Sequence, residues 1–124
     1  MTANQEQLLG KAGEKAACRF LRRGGYHILA RNFACPLGEI DLICRHADGI
    51  VFVEVKTRSD DSAADPEANI TPGKQRRMER AAQAWLAQHR WPDCAYRFDA
   101  VSVIIPSLGE ARVRHICEAF LPSR

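Results

Sequence analysis

The segment EIDLICRHADGIVFVEVKTR, residues 39–58, decides the fold because it contains two apolar runs joined by a short polar turn. The first run alternates and the second is rich in β-branched and aromatic residues, which predicts a β-hairpin. Asp48-Gly49 is a strong signal for a two-residue turn, so we place the tip there. Glu54 and Lys56 nevertheless interrupt the second strand, and a buried charge is costly unless it is paired or binds a metal.

The position of the turn predicts the register of the hairpin. With Asp48-Gly49 at its centre, Ala47 pairs with Ile50 and Asp41 lies opposite Lys56. Cross-strand partners share a face of the sheet. One face then carries the charged side chains Glu39, Asp41, Glu54, Lys56 and Arg58. The other face is apolar and belongs to the core, with Ile40, Leu42, Cys44, Val51, Val53 and Val55.

The cluster of charges on one face has two interpretations. The first is a solvated ladder of ion pairs, Asp41 with Lys56 and Glu39 with Arg58, as is common on half-exposed strands. The second is a divalent-metal site, because the carboxylates of Asp41 and Glu54 are hard oxygen ligands suited to Mg²⁺. Lys56 would then orient a water nucleophile or offset charge that develops on a phosphate. Such a site is typical of phosphodiester chemistry.

The rest of the chain predicts a mixed order of helices and strands. The elements are a helix over 4–23, strands over 26–33, 39–46 and 50–57, a helix from Thr71-Pro72 to about Gln88, and strands over 95–105 and 111–120. The order α-β-β-β-α-β-β predicts an α/β fold with helices packed on a mixed central sheet. We expect one domain over residues 1–124, with a flexible acidic loop at 59–69.

Composition restricts the class of protein. The chain has 124 residues and a net charge of +3. This charge is too small to identify a nucleic-acid-binding protein, and it does not exclude one. Five cysteines are widely spaced without a Cys-x-x-Cys motif, which argues against a disulfide framework and a zinc knuckle. Charged residues interrupt any signal peptide, and no apolar run is long enough to span a bilayer. We therefore expect a cytoplasmic protein with reduced thiols and no membrane partner.

Asp41 followed by a hairpin and then Glu54-Val55-Lys56 resembles the D…ExK arrangement of the restriction-endonuclease-like superfamily of nucleases. Six segments occur in a fixed order: GKAGEKAA (10–17), GYHILARNF (25–33), GEIDLI (38–43), FVEVKTR (52–58), TPGKQRR (71–77) and RFDAV (97–101). Together they resemble the YraN family of predicted bacterial endonucleases, which is similar in its core to archaeal Holliday-junction resolvases. The resemblance extends roughly from Gly10 to Val103 and implies a restriction-endonuclease-like fold.

The resemblance also implies roles for individual residues. Asp41 and Glu54 match the metal ligands, with the Val55 carbonyl as a third ligand, and the implied cofactor is Mg²⁺ or Mn²⁺. Lys56 matches the catalytic lysine. Glu14 matches an acidic residue that resolvase-like members place near the metal, and its alternative is a solvated helix glutamate.

Two further carboxylates are candidates for a supporting role around the metal. Glu39 lies beside the site or simply pairs with Arg58. Asp99 lies within an apolar strand, where an unpaired carboxylate is costly, so a partner such as Arg97 or Arg58 is expected.

The second predicted helix supplies candidate contacts to DNA. Lys74 and Arg77 lie near its N-terminus, which itself favours anions, and together with Arg58 they are candidates to contact the DNA backbone. Trp85 and Trp91 could stack on bases, although the helical pattern favours a core position for Trp85.

The predicted function is that of a Mg²⁺-dependent endonuclease acting on structured DNA, with branched DNA among the candidate substrates. One alternative is a DNA-binding accessory module that keeps the fold and cleaves poorly. Another is a protein-interaction module with no nucleic-acid partner. Resolvases of this fold act as dimers, so a homodimer is a candidate assembly, although no feature of this sequence identifies a dimer face.

Overall fold

The computed structural model describes residues 2–59, 70–90 and 94–122. Its elements are α1 (Ala3–Arg23), β1 (His27–Cys35), β2 (Gly38–His46), β3 (Gly49–Arg58), α2 (Pro72–Gln88), β4 (Ala95–Ile104) and β5 (Arg112–Phe120). The predicted α/β class and the order α-β-β-β-α-β-β are confirmed. The predicted acidic loop lies outside the described residues except for Ser59, and so does Trp91.

The five strands form one mixed sheet in the order β1-β2-β3-β4-β5. Strands β1, β2 and β3 pair antiparallel, as do β4 and β5. Strands β3 and β4 pair in parallel, because the chain crosses over between them through α2. Strand β3, which carries Glu54 and Lys56, is therefore the central strand.

Both helices begin at side-chain caps that the sequence encodes. Thr2 accepts a hydrogen bond from the Gln5 backbone N–H, and the Gln5 side chain accepts one from the Thr2 N–H, which completes a capping box on α1. The Thr71 hydroxyl accepts a hydrogen bond from the Lys74 N–H at 3.2 Å, with Pro72 opening α2. These contacts fix the first turn of α2 and, with it, the position of Lys74.

Each face of the sheet buries its own apolar cluster under one helix. On the α1 face, Leu21 packs with Val51, Val53 and Val101. On the α2 face, the buried residues include Met78, Trp85, Phe52 and Phe98. Trp85 is 3% exposed, which confirms its predicted core position. No helix in the described ranges is both long and apolar enough to cross a membrane.

The predicted tip of the hairpin is wrong by one residue. Strands β2 and β3 pair as His46↔Gly49 through Leu42↔Val53, so the turn consists of Ala47 and Asp48. Ala47 adopts a φ of 52°, whereas Gly49 already belongs to β3. A Cβ at Gly49 would lie 3.1 Å from the carbonyl oxygen of Ala95, so this glycine permits the close approach of β4.

The corrected register changes the cross-strand partners but keeps the faces of β3. Each partner moves by two positions, so the predicted register, which placed Asp41 opposite Lys56, is wrong. Because side chains alternate with a period of two, the shift leaves Glu54 and Lys56 on one face of β3. That face is the α2 face, which also carries Phe52.

The predicted division into one charged and one apolar face is also wrong in part. Ile40 packs in the α2-side cluster, whereas Leu42 packs in the α1-side cluster. Residues two apart in a regular strand share a face, so the alternation of β2 is interrupted at Asp41. A helix covers each face, so both faces carry apolar core, and the acidic residues lie where the β2–β3 pairing ends.

Candidate functional site

Asp41 and Glu54 lie next to each other where the β2–β3 ladder ends. The Asp41 Oδ2 accepts a hydrogen bond from the Val55 backbone N–H at 2.7 Å. This bond holds the Asp41 carboxylate against β3 just beyond the last pair, Leu42↔Val53. The carboxyl group of Asp41 also lies close enough to Glu54 to raise its pKa. Two acids from neighbouring strands therefore share one small volume.

Glu54 is buried without full hydrogen bonding. The residue is 9% exposed, and its Oε2 has no hydrogen-bond partner among the described residues. The Lys74 Nζ lies 3.4 Å from the same oxygen, as a charge contact. Burial and the neighbouring Asp41 carboxylate together raise the pKa of Glu54 to about 7, although Lys74 acts in the opposite direction. The carboxyl group is therefore positioned to accept a cation or a proton.

Helix α2 lies close to β2 because of Gly38. A Cβ at this position would overlap the backbone carbonyl of Arg77, so any other residue would move the helix away from the strand. The close approach, together with the Thr71 cap, brings Lys74 within reach of Glu54. Lys74 was predicted to contact the DNA backbone, and its contact with Glu54 was not predicted because it depends on packing between elements distant in sequence.

Helix α1 approaches the site from the other face of the sheet. A Cβ at Gly13 would overlap the side chain of Thr57 on β3, so glycine allows this close packing. The next residue, Glu14, accepts a hydrogen bond from the Asn32 side-chain amide at 3.0 Å. Asn32 adopts a φ of 52°, a left-handed conformation that asparagine tolerates better than most residues. This contact orients Glu14 from outside its own helix.

A cavity of about 880 Å³, which we call the site cavity, lies between α1 and the strands that carry Asp41 and Val55, and its lining does not include Glu54, Lys56 or Lys74. Its lining includes Glu14, Asn32, Asp41, Val55 and Arg58. Glu14 on α1 and Asp41 on β2, two predicted site residues from distant segments of the sequence, therefore face the same cavity. Val55 and Thr57 of β3 line this space as well.

The remaining predicted residues lie around this centre. Lys56 follows Glu54 by two positions on β3 and is partly buried. Glu39 is exposed and pairs with Ala34 of β1. Arg77 is exposed on α2. The roles assigned to these side chains stay predictions.

Asp99 belongs to a different cluster. It is fully buried on the α1 face, where its carboxylate accepts hydrogen bonds from Arg97 Nε at 2.9 Å and from the Glu118 N–H at 3.0 Å, and lies 2.7 Å from His115 Nε2. Arg97 was one of the two expected partners, and that contact is confirmed. None of the described hydrogen bonds of Asp99 reaches Asp41 or Glu54, so its predicted supporting role has no structural support.

The Asp99 cluster includes a group of potential metal ligands. Atoms of Asp99, His115 and Cys117 lie within 4.8 Å of one another. The Arg97 guanidinium, however, lies 3.9 Å from the Cys117 sulfur and already neutralises Asp99. Burial acts to raise the pKa of Asp99, but hydrogen bonds from His115, Arg97 and the Glu118 N–H outweigh it and lower the pKa. This cluster was not predicted, because His115 and Cys117 show no metal-ligand spacing with Asp99 in the sequence.

Comparison with known proteins identifies similar chains. A family model described as "Uncharacterised protein family UPF0102" matches residues 13–103. A UPF0102 protein of Geotalea daltonii is 43% identical over 94% of this chain and 92% of its own length. Another from Parafrankia sp. is 46% identical over 92% of this chain and 97% of its own length. A third, from Geobacter sulfurreducens, is 40% identical over 95% of this chain and 92% of its own. The family predicted from the six ordered segments is confirmed.

Proposed function

Because the chain belongs to the uncharacterised protein family UPF0102, whose description names no activity, we propose a function from its site. The proposed function is Mg²⁺-dependent endonucleolytic cleavage of structured DNA, with branched DNA as a candidate substrate. The observation that carries the proposal is the buried Oε2 of Glu54, which has no hydrogen-bond partner within residues 2–59, 70–90 and 94–122 and lies beside a second carboxylate.

The donor atoms fit a hard divalent cation. Asp41 and Glu54 offer carboxylate oxygens. The proposed third ligand is the backbone carbonyl of Val55, which lies between Glu54 and Lys56 on β3. Oxygen ligands suit Mg²⁺ and Mn²⁺, whereas a soft metal would prefer sulfur or imidazole. A divalent ion held there would supply Lewis acidity at the scissile phosphate and would help to activate a water nucleophile.

The residues of the chain itself supply the remaining functions. We assign Lys56 to orient the attacking water and to offset charge that develops on the phosphate, with cleavage leaving a 5′-phosphate. Glu14 accepts a hydrogen bond from Asn32 at 3.0 Å and faces the site cavity. We assign it to position water or substrate. Lys74 neutralises Glu54 at 3.4 Å, so it acts within the site as well as on DNA.

The contact between Lys74 and Glu54 also favours a second candidate function. An ammonium group that already compensates Glu54 would compete with a cation for that carboxylate. The second candidate is therefore a DNA-binding accessory module that keeps the fold and cleaves slowly. It predicts salt-sensitive DNA binding without metal-dependent turnover.

We propose the cytoplasm as the cellular setting, and the state of the cysteines supports this proposal. All five are free in the structure, as expected for a protein of the reducing cytoplasm. We place the activity there. A homodimer is the assembly we propose, since symmetric cleavage of two strands requires two sites.

The test is a cleavage assay on a panel of DNA structures. Linear, nicked, flapped and four-way DNA are incubated with purified protein and Mg²⁺, Mn²⁺ or EDTA. We expect cleavage of a structured substrate with metal and none with EDTA, and loss of cleavage in Asp41→Asn. Arg80→Ala, an exposed change on α2, is the matched control. Binding without cleavage under all metal conditions would select the accessory module. Absence of both would favour the protein-interaction alternative.

A further inference from the structure

A second concavity, of about 590 Å³, lies beside the site cavity on the α1 and β1 side. We call this concavity the basic groove. Its cationic lining consists of Lys11, Lys15, Arg19, Arg22, Arg23 and Arg31. Glu14 is the one carboxylate in the lining. The whole chain has a net charge of only +3, so positive charge is concentrated in this groove.

The cations of the basic groove are not compensated within the described ranges. No salt bridge there joins any of the six to a carboxylate, and all six residues are exposed. Ordinary protein surfaces intersperse opposite charges, whereas a groove of one sign attracts ligands of the other sign. The partner must therefore be strongly anionic.

The shape of the groove favours a polyanion over a small anion. Lys11, Lys15, Arg19 and Arg23 recur every four residues along one side of α1. From the first to the last, the row extends about 18 Å at the rise of an α-helix. Phosphates of one strand of duplex DNA repeat every 3.4 Å along the axis, so a row of this length spans about five of them. A single phosphate would contact only a fraction of the row.

The basic groove is continuous with the site cavity. Lys11, Glu14 and Asn32 line both concavities. A strand lying along α1 would therefore arrive at Glu14 and then at Asp41. We propose that the basic groove binds the phosphate backbone of DNA and directs it into the site cavity. This inference rests on the proposed function and places the main DNA path on α1 and β1, whereas the sequence had suggested α2.

The test measures DNA binding separately from cleavage. The parent is Asp41→Asn in EDTA, which keeps the DNA intact, and fluorescence anisotropy of labelled four-way DNA is recorded at several salt concentrations. The groove variant adds Lys15→Ala, Arg19→Ala and Arg31→Ala. The matched control adds Arg45→Ala, Arg80→Ala and Arg90→Ala, which remove the same charge from exposed positions outside the groove. Melting temperatures of all three proteins verify that they are folded.

We expect the groove variant to lose at least about tenfold in affinity, with a shallower slope of log affinity against log salt, by about 0.9 for each lost phosphate contact. The control should stay within about twofold of the parent. Equal losses in the two variants, or no DNA binding by the parent at low salt, would overturn the inference. So would equally tight binding of labelled polyglutamate, because the groove would then be a general anion surface.

Failure of this inference is distinguishable from failure of the proposed function. A second assay introduces the groove and control substitutions into the protein with Asp41 intact and measures cleavage with Mg²⁺. Full cleavage by the groove variant would refute the basic groove while leaving the nuclease proposal standing. Groove-dependent binding by a protein that never cleaves would refute the nuclease proposal while supporting the groove.

Discussion

Two buried carboxylates on neighbouring strands of the same sheet have opposite environments. Asp99 on β4 accepts hydrogen bonds from two side chains and a backbone N–H, and these contacts lower its pKa. Glu54 on β3 has an oxygen with no hydrogen-bond partner among the described residues, and burial raises its pKa to about 7. A carboxylate with full hydrogen bonding stabilises the fold, whereas one without it is available to a ligand.

The largest expected effect is on stability, at Asp99. Asp99→Ala should lower the free energy of unfolding by about 3–5 kcal/mol, because it leaves Arg97 and His115 without their buried partner. Urea denaturation at pH 7 measures the change. Glu110→Ala, at an exposed acid, is the control and should change stability by less than about 0.5 kcal/mol. A loss below about 1 kcal/mol for Asp99→Ala would mean that the cluster does not stabilise the fold as its contacts indicate.

The next largest expected effect is on the rate of cleavage, and it comes from Lys56. Lys56→Ala should slow single-turnover cleavage by about 10²-fold while DNA affinity is nearly kept, because its ammonium acts on the reacting phosphate. Lys74→Ala should weaken binding and also change the metal dependence of cleavage, since Lys74 contacts Glu54. Affinity titration and cleavage on the same DNA separate the two. Normal cleavage by Lys56→Ala would refute the role assigned to Lys56.

Glu54 should make the stability of the metal-free protein depend on pH. Between pH 4.5, the ordinary pKa of the carboxyl, and about 7, the folded protein keeps a proton that the unfolded chain releases. Stability contributed by this group therefore falls as pH rises through that window, by up to about 3 kcal/mol. Glu54→Gln should remove this dependence, as measured by urea denaturation with EDTA at pH 5–8.

The stability contributed by Asp99 should depend on pH in the opposite direction to that of Glu54. Its folded pKa lies below the ordinary value of 3.8, so its contribution is complete above that pH and is lost as pH falls further. The wild type should therefore lose stability both above pH 5, through Glu54, and below pH 3.8, through Asp99. A Glu54→Gln variant that keeps the loss above pH 5 would show that another group is responsible.

The sequence predicted the elements well because the signals for them are local. The caps Thr71-Pro72 and the alternation in β2 and β3 depend on neighbouring residues, and the order of elements is confirmed. The hairpin tip was missed because Gly49 serves a neighbouring strand: β4 approaches it closely, and the turn forms one residue earlier. Turn rules that consider only the hairpin do not include that constraint.

The candidate site was predictable only in part for the same reason. Asp41 and Glu54 lie on the two strands of one hairpin, so their proximity was predictable from strand pairing even though the predicted register was wrong. The contact of Lys74 with Glu54 depends on the packing of α2 at Gly38, and the contact of Asn32 with Glu14 joins segments 18 residues apart. The pairing of Arg97 with Asp99 was expected because residues two apart share a face of a strand.

The central claim is that a divalent metal binds between Asp41 and Glu54 and not at the Asp99 cluster. Paramagnetic broadening of backbone amide signals during Mn²⁺ titration at pH 8, where Glu54 is ionised, tests it most directly. We predict early loss of the Val55 signal, an unchanged Cys117 signal, and no broadening of Val55 in Asp41→Asn. Early broadening at Cys117, or identical broadening of Val55 in the wild type and Asp41→Asn, would contradict the metal site.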